Sequence, residues 1–448
     1  MVESVDESEA VREIDKLMAL HPKGFDMSLD RILRLLDKLG NPHLKLPPVI
    51  HIAGTNGKGS ATAFSRALLE AGGYAVHIDT SPHLVRWHER YRIGRKGQRG
   101  EFVSDADFAD ALRRVAKVND GQTITVFEIL TAVSFLLFSE KPADAVILEV
   151  GMGGRFDSTN VVPNPAVSVI MPVSMDHQAY LGDRVELIAA EKAGIMKPGC
   201  PVVIGRQEFD GAREVLVDTA ERLRCPLSVY GQDFAAHEEF GRLIYQDEFG
   251  LADLPLPRLP GRHQIANAAA AIRAVKAAGF EVTETIMEKA MISVEWPARM
   301  QRLNTGRLFS ILPPGSELWV DGGHNPSAGT VITEMLAGME ERDPRPLYLV
   351  AGMLNTKDTT GYFKTFEDIT QLVLTVPISG SDAAVDPVAL AADAADAGLT
   401  TEPHQSLRDA LEAIRAKTAR LPVAPRVLIG GSLYLAGEAL RENGTIPD

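Results

Sequence analysis

Residues 48–60 read PVIHIAGTNGKGS. The largely apolar run Val49–Ala53 has the character of a strand buried on both faces, as a parallel sheet requires. Gly54, Gly57 and Gly59 are packed around Lys58, and the helix-period segment SATAFSRALLEAGG follows and stops on a glycine pair. Strand, glycine loop and helix in that order is the setting in which such a loop cradles phosphate. Glycine lets backbone N–H groups turn toward one centre with no Cβ in the way. The helix N-terminus adds a partial positive charge, and Lys58 adds a full one. Gly54, Thr55, Asn56, Gly57, Lys58, Gly59 and Ser60 are therefore the expected phosphate-binding segment, for ATP, with Ser60 placed to help position a phosphate-bound magnesium ion. The spacing is not that of the common G-x-x-x-x-G-K-[ST] loop, because Gly59 separates Lys58 from Ser60. The plain alternative is a glycine-rich turn with an exposed lysine.

Outward from this loop the pattern repeats. YAVHIDT, DAVILEV, AVSVIMPV and CPVVIG read as further buried strands, with DADFADALRRVAKV, TVFEILTAVSFLLFSE and RVELIAAEKAGIM as helices between or after them. That alternation predicts an α/β protein with a largely parallel sheet. At LADLPLPRLPG, Pro255, Pro257 and Pro260 forbid a long regular element, and EWPARMQRL breaks around Pro297. Strands ELWVD, PLYLVAG and RVLIGG then alternate with helices SAGTVITEMLAGMEE and SLYLAGEALRE, while GSDAAVDPVALAADAADAGL reads as loop and helix. The expected division is an ATP-binding domain over 1–298 and a smaller Rossmann-like α/β domain over 299–448.

Length and composition set the bounds. At 448 residues the chain is too long for one ordinary core. Apolar residues at 45% and charged residues at 24% are the balance of a soluble globular protein, and a net charge of −14 argues against non-specific nucleic-acid binding. Cys200 and Cys225 have neither metal-ligand spacing nor a disulfide framework around them. The N-terminus MVESVDESEAVREIDK lacks the basic start and apolar stretch of a secretory signal, and no run approaches a membrane helix. A cytoplasmic protein without membrane or nucleic-acid partners is expected.

ATP chemistry needs magnesium, which wants rigidly held oxygen ligands. Glu149 closes the strand VILEV, at the end where open α/β sheets bind ligands, and a carboxylate there is costly unless paired. Pairing to a local lysine or to backbone amides is the structural alternative. Asp176 and His177 follow the next strand along, whereas Lys192 beside Glu191 reads locally as an ordinary helical pair.

Together these stretches resemble the folylpolyglutamate synthase/dihydrofolate synthase family, within the larger Mur ligase group. The resemblance runs through AGTNGKGS, SPHLVRWHERYRI, FEILTA, LEVGMGGRFDSTN, DHQAYLG, EKAGIMKPG, HQIANAAAA, DGGHNPSA, GMLNTKD and GGSLYLAGEAL in that order, over nearly the whole chain. It implies that Ser81, Glu149 and His177 are magnesium ligands, and that Lys192 is a carbamylated lysine turned from cation to carboxylate-like ligand of a second magnesium. It puts Gln264 and Asn267 on the nucleotide-site helix, Arg299 on phosphate and Asp321 on ribose, with His324 and Ser432 lining the site of the incoming glutamate. His83 and Arg86 in the SPHLVRWHERYRI loop, and Arg155 and Asp157 in GGRFDSTN, lie in loops resembling those that shape the pterin and ATP sites. Many relatives carry alanine where Gly323 stands, a change of loop stiffness more than of chemistry.

The implied reaction joins L-glutamate to a carboxylate on a pterin compound through an acyl phosphate made from ATP. Lys58, Lys192, Arg299 and His324 would carry the catalytic burden, and closure about Pro297 would exclude water. Dihydropteroate and reduced folates are the expected acceptors of a bifunctional, monomeric enzyme. Two rivals stand beside it. A peptidoglycan-precursor ligase would need room for a UDP-sugar domain ahead of the loop, and a nucleotide-binding switch would bind ATP without turnover.

Overall fold

The computed structural model describes residues 8–18, 28–379 and 381–448. These fall into two units. The first comprises residues up to Arg258 with Gln264–Val294 and Asp448; the second comprises Leu259–His263 and Glu295–Pro447.

In the first unit β1 (Val49–Ala53), β2 (Val76–Asp79), β3 (Tyr91–Arg95), β4 (Gln98–Phe102), β5 (Ala145–Glu149), β6 (Val167–Ile170), β7 (Val202–Ile204) and β8 (Leu227–Val229) form a sheet in the order β4-β3-β2-β5-β1-β6-β7-β8. All pairings from β2 to β8 are parallel, and β3 and β4 add an antiparallel edge. Every residue of β1, β2, β5, β6 and β7 is buried, as expected of strands covered on both faces. One core cluster sets Val49, Val146 and Leu148 against Ile14, Leu35, Phe108 and Phe135 from helices Glu9–Met18, Asp30–Lys38, Asp105–Asn119 and Val126–Glu140. A second sets Ala53, Ile170, Val202 and Ile204 against Ile188, Ala193, Ala212 and Leu216 from helices Val185–Ala193 and Asp210–Arg222. Each fully buried Val, Leu or Ile contributes about 1.5–3 kcal/mol, so these faces fix the register of β1 between β5 and β6.

The same unit holds an antiparallel sheet of β9 (Phe234–Glu239), β10 (Arg242–Asp247) and β11 (Gly250–Pro255). β11 runs into the proline-rich stretch that sequence reading left without a long regular element. Pro255 is tolerated because it is the last residue of an edge strand.

In the second unit β12 (Gln301–Leu303), β13 (Glu317–Val320), β14 (Leu347–Ala351), β15 (Leu372–Thr375), β16 (Thr401–Pro403) and β17 (Arg426–Gly430) are ordered β12-β13-β17-β14-β15-β16. Only β12 pairs antiparallel. β17, last in the chain, lies between β13 and β14, so loops on either side of it open at the carboxyl ends of neighbouring strands.

Candidate active site

β1 delivers the loop Gly54–Gly57 into the helix Lys58–Ala71, with Gly57 at the N-cap in the left-handed region, φ 80°. A Cβ on Gly57 would stand 2.9 Å from Oδ1 of Asn267, so the loop can meet the helix His263–Ala277 this closely only as glycine. Asn267 in turn donates to Oε1 of Gln264 at 3.1 Å, and both side chains are buried.

The amides of the loop divide into two sets. Those of Thr55 and Asn56 both donate to the carbonyl of Pro172, at 2.8 and 3.3 Å, and the Thr55 hydroxyl donates to the carbonyl of Ser174 at 3.0 Å. Thr55 and Asn56 therefore stitch the loop to the segment after β6. The first backbone bond of the helix runs from the N–H of Ala61 to the carbonyl of Gly57, at 2.8 Å. The N–H groups of Lys58, Gly59 and Ser60 precede it, at the positive end of the helix.

Two lysines meet at this loop. Lys58 Nζ donates to the carbonyl oxygens of Gly54 and Thr55, at 2.9 and 3.2 Å. Lys192, near the end of the helix Val185–Ala193, donates to the same Gly54 oxygen at 3.0 Å. Lys192 is buried, and burial first, then the charge of Lys58, lowers its pKa to about 7 against the opposing pull of Asp176 and Asp157. An amine with that pKa is substantially neutral at physiological pH and so nucleophilic. The backbone is shaped to hold it there. A Cβ on Gly154 would fall 2.7 Å from the carbonyl oxygen of Glu191 and 2.9 Å from Cα of Lys192. Gly154→Ala must push this contact apart; we expect a loss of about 1–3 kcal/mol in urea unfolding together with reduced turnover.

Acidic groups gather at the ends of the neighbouring strands. Glu149 ends β5, buried, in register with Ile52 of β1. Asp79 ends β2, accepts from Oγ of Ser134 at 3.0 Å, and is pushed up to about 8 by burial, with Asp157 and Glu149 adding repulsion. Ser81 Oγ is buried with no hydrogen-bond partner among the described residues, an oxygen suited to an ion. His177 stands in the left-handed region, φ 53°, and its N–H donates to Oδ1 of Asp176 at 2.8 Å. Among the described residues no three His, Cys, Asp or Glu side chains converge as a metal centre. A magnesium ion here would need water and substrate phosphate oxygens beside a carboxylate such as Glu149, which is its usual habit. Ser60 is buried one turn along the loop helix.

Behind these groups lies a relay that sequence reading did not single out. His51, fully buried in β1, has Nε2 2.8 Å from Oγ1 of Thr159, and that hydroxyl donates to Oδ1 of Asp157 at 2.5 Å. Since the hydroxyl spends its proton on Asp157, His51 must donate from Nε2. Burial lowers His51 to about 3, so the ring is neutral. Asp157 also accepts from the amides of Gly151, Met152 and Thr159 at 3.0–3.1 Å, which fixes the loop holding Arg155. The Arg155 side chain is exposed beside Glu191. Thr159→Val leaves the His51 donor buried without an acceptor, and urea unfolding should show a loss of about 1–3 kcal/mol.

The loop after β2 is organised by another residue that sequence reading passed over. Glu89 accepts the amides of Leu84, Val85 and Arg86 at 2.7–3.0 Å. His83 packs on Trp87 with ring centroids 4.3 Å apart and accepts from Nε of Arg90 at 3.1 Å, so its Nδ1 carries no proton. Burial, with Arg90 and His88, lowers His83 to about 3.

The second unit holds the remaining residues. Arg299 lies between Ala298 and Met300, both at positive φ, 55° and 41°. Such strain persists only when its surroundings enforce it. Asp321, just past β13, accepts from the amides of Met300 at 2.8 Å and Gly323 at 2.6 Å; burial raises its pKa while Arg299 pulls it down. His324 donates from Nδ1 to the carbonyl of Gly322 at 3.0 Å. Ser432 caps the helix Leu433–Asn443, its hydroxyl accepting from the amide of Tyr434 at 3.1 Å.

Residues 52–275 match the Mur ligase middle domain. The chain is 35% identical over 352 residues to the dihydrofolate synthase/folylpolyglutamate synthase of Haemophilus influenzae, covering 77% of each chain. It is similar to the Mycobacterium tuberculosis folylpolyglutamate synthase complexed with ADP, at 32% identity and TM-score 0.85, over 98% of this chain and 100% of that one. It also resembles the bifunctional folylpolyglutamate synthase/dihydrofolate synthase from Yersinia pestis complexed with AMPPNP and Mn ion, at 25% identity and TM-score 0.83, over 98% and 99% of the two chains.

Proposed function

This chain belongs to the dihydrofolate synthase/folylpolyglutamate synthase family of Mur ligases, and from that premise we propose that it adds L-glutamate to dihydropteroate and to reduced folates at the expense of ATP. The observation that carries the proposal is the meeting of Lys58 and Lys192 on the carbonyl of Gly54, with buried Glu149 closing the strand β5 that pairs with β1.

Joining a carboxylate to an amine is uphill in water because carboxylate oxygen is a poor leaving group. Transfer of the γ-phosphoryl of ATP to the acceptor carboxylate makes an acyl phosphate, which leaves as phosphate when the glutamate amine attacks. Such transfer is chiefly positioning and charge neutralisation. The helix-end amides of Lys58, Gly59 and Ser60 and the Lys58 ammonium bind the phosphates. Asn267 and Gln264 present amides beside the loop. Glu149, His177 and Ser81 would hold magnesium, which would neutralise phosphate charge when bound. Lys192, as its carbamate, offers oxygen to a second ion; its neutral amine is the form that adds carbon dioxide.

The loops around His83 and Arg86 and around Arg155 and Asp157 bind the pterin acceptor. In the domain assigned to 299–448, Arg299 binds phosphate, Asp321 the ribose, and His324 and Ser432 the incoming glutamate. The proposed enzyme is a monomer working in the cytoplasm; no helix among the described residues is long and apolar enough to cross a membrane.

The test is to supply ATP, magnesium and glutamate with dihydropteroate or tetrahydrofolate separately, and to follow ADP and product mass. ADP with both acceptors, each product heavier by one glutamyl residue, is expected. Product from tetrahydrofolate alone would remove the dihydrofolate-forming half, and turnover with neither would remove the assignment.

A further inference from the structure

The only two cysteines of the chain, Cys200 and Cys225, lie outside everything described above, and the fold brings them together. β7 and β8 pair in parallel with Val202 opposite Leu227, two residues beyond each cysteine. Backbone bonds bracket the pair: Gly199 donates to the carbonyl of Leu223 at 3.0 Å, and Val202 to that of Pro226 at 2.9 Å. Between them Cys225 Sγ donates to the carbonyl of Lys197 at 3.3 Å, and the backbone N–H of Cys200 donates to the same oxygen at 3.0 Å. Side chains at matching positions of adjacent parallel strands leave one face of the sheet together. Neighbouring strands stand about 4.8 Å apart, inside the roughly 4.4–6.8 Å between Cα atoms that a disulfide spans. Both residues are partly exposed, so a small reagent can reach them.

We propose that Cys200 and Cys225 form a reversible intramolecular disulfide by exchange with a low-molecular-weight disulfide, making the start of β7 and β8 a redox modification site. The exchange balances without another reactant. One of the two thiolates attacks one sulfur of the small disulfide and expels one thiolate; the other then attacks the Sγ of that cysteine and expels the second. Two electrons pass from the protein dithiol to the small disulfide, and the two thiol protons end on the two released thiolates. Burial raises both thiols; the Lys197 charge pulls Cys200 back down, and the Gly199 amide pulls Cys225 back down while Cys200 pushes it up. With both thiols raised, the rate rises from neutral toward alkaline pH.

The bond closes a loop over Pro201–Arg224 that contains β7 and the helix Asp210–Arg222. It also anchors one end of the segment that begins at Lys192. Lys197 within that segment donates to the carbonyl of Asn160 at 3.1 Å, and Asn160 donates to the carbonyls of Arg155 and Gly194 at 2.9 and 3.0 Å. Oxidation takes Cys225 Sγ off the Lys197 carbonyl and ties it to Cys200.

The test treats the folded, full-length protein with oxidised glutathione at pH 8.5. The expected result is loss of both titratable thiols, a mass fall of about 2 Da, a proteolytic peptide pair joined through Cys200 and Cys225, monomeric migration without reductant, and full reversal by dithiothreitol. Cys200→Ser and Cys225→Ser should each stop at a single glutathione adduct on the cysteine that remains. A wild-type protein that keeps glutathione on both cysteines, cross-links between molecules, or retains both free thiols after prolonged treatment would overturn the proposal. None of these readouts depends on ligase activity, so the outcome stands apart from the functional reading above.

Discussion

Replacing Lys58 with alanine should lower glutamate-dependent ADP formation by about 10³-fold while leaving the fold in place. The ammonium of Lys58 is held by the carbonyls of Gly54 and Thr55 at the mouth of the phosphate loop, and neither bond ties the loop to the segment after β6. That task falls to the amides of Thr55 and Asn56 on the carbonyl of Pro172. The variant therefore loses a positive charge where charge develops during phosphoryl transfer and keeps the cradle. An unchanged urea midpoint with a collapsed rate is the expected pair of results. Loss of both together would mean that Lys58 is mainly a structural brace. Relieved of its charged neighbour, Lys192 should also titrate closer to the ordinary lysine range, because the Lys58 charge is the second cause of its depression.

Lys192→Ala should cost about 10²–10³-fold in turnover. Its position permits two states. As an ammonium it is a buried cation beside another cation; as a carbamate it becomes an anion facing Lys58 and able to take part in holding an ion. Carbamate formation needs the neutral amine, so with a pKa of about 7 the reactive fraction falls about tenfold for each pH unit below that value. Enzyme stripped of carbon dioxide at pH 6 should be poorly active and should recover with bicarbonate, more completely at pH 8. Carbon-13 bicarbonate should give a carbamate resonance that is absent from Lys192→Ala. A fully active enzyme without carbon dioxide, and no such resonance, would show that Lys192 works as an amine.

The fold was legible wherever local pattern sufficed. The strand, glycine loop and helix at 48–73, the carboxylate at the end of VILEV, and the strand-and-helix alternation after Pro297 all follow from short-range periodicity and turn residues. The antiparallel sheet β9–β11 carried a weaker signal. The turn at Phe240–Gly241 uses a phenylalanine at φ 50°, where a hairpin reader looks for asparagine or aspartate before glycine. The site was legible only in part, because its decisive contacts are long-range. Lys192 reads locally as a surface partner of Glu191, whereas in the fold Gly154 packs on its backbone and its Nζ reaches the carbonyl of Gly54. His51 reads as an odd polar residue in a buried strand until Thr159 arrives from a distant part of the chain. Glu89 reads as a loop acid until three amides turn toward it.

The central claim is that ATP activates the acceptor carboxylate for attack by glutamate. Dihydropteroate carrying oxygen-18 in its carboxyl group, incubated with the enzyme, ATP, magnesium and glutamate, tests it most directly by mass spectrometry of both products. The account predicts that one labelled oxygen leaves with inorganic phosphate at each turnover and the other stays in the new amide. Unlabelled phosphate alongside glutamylated product would contradict it.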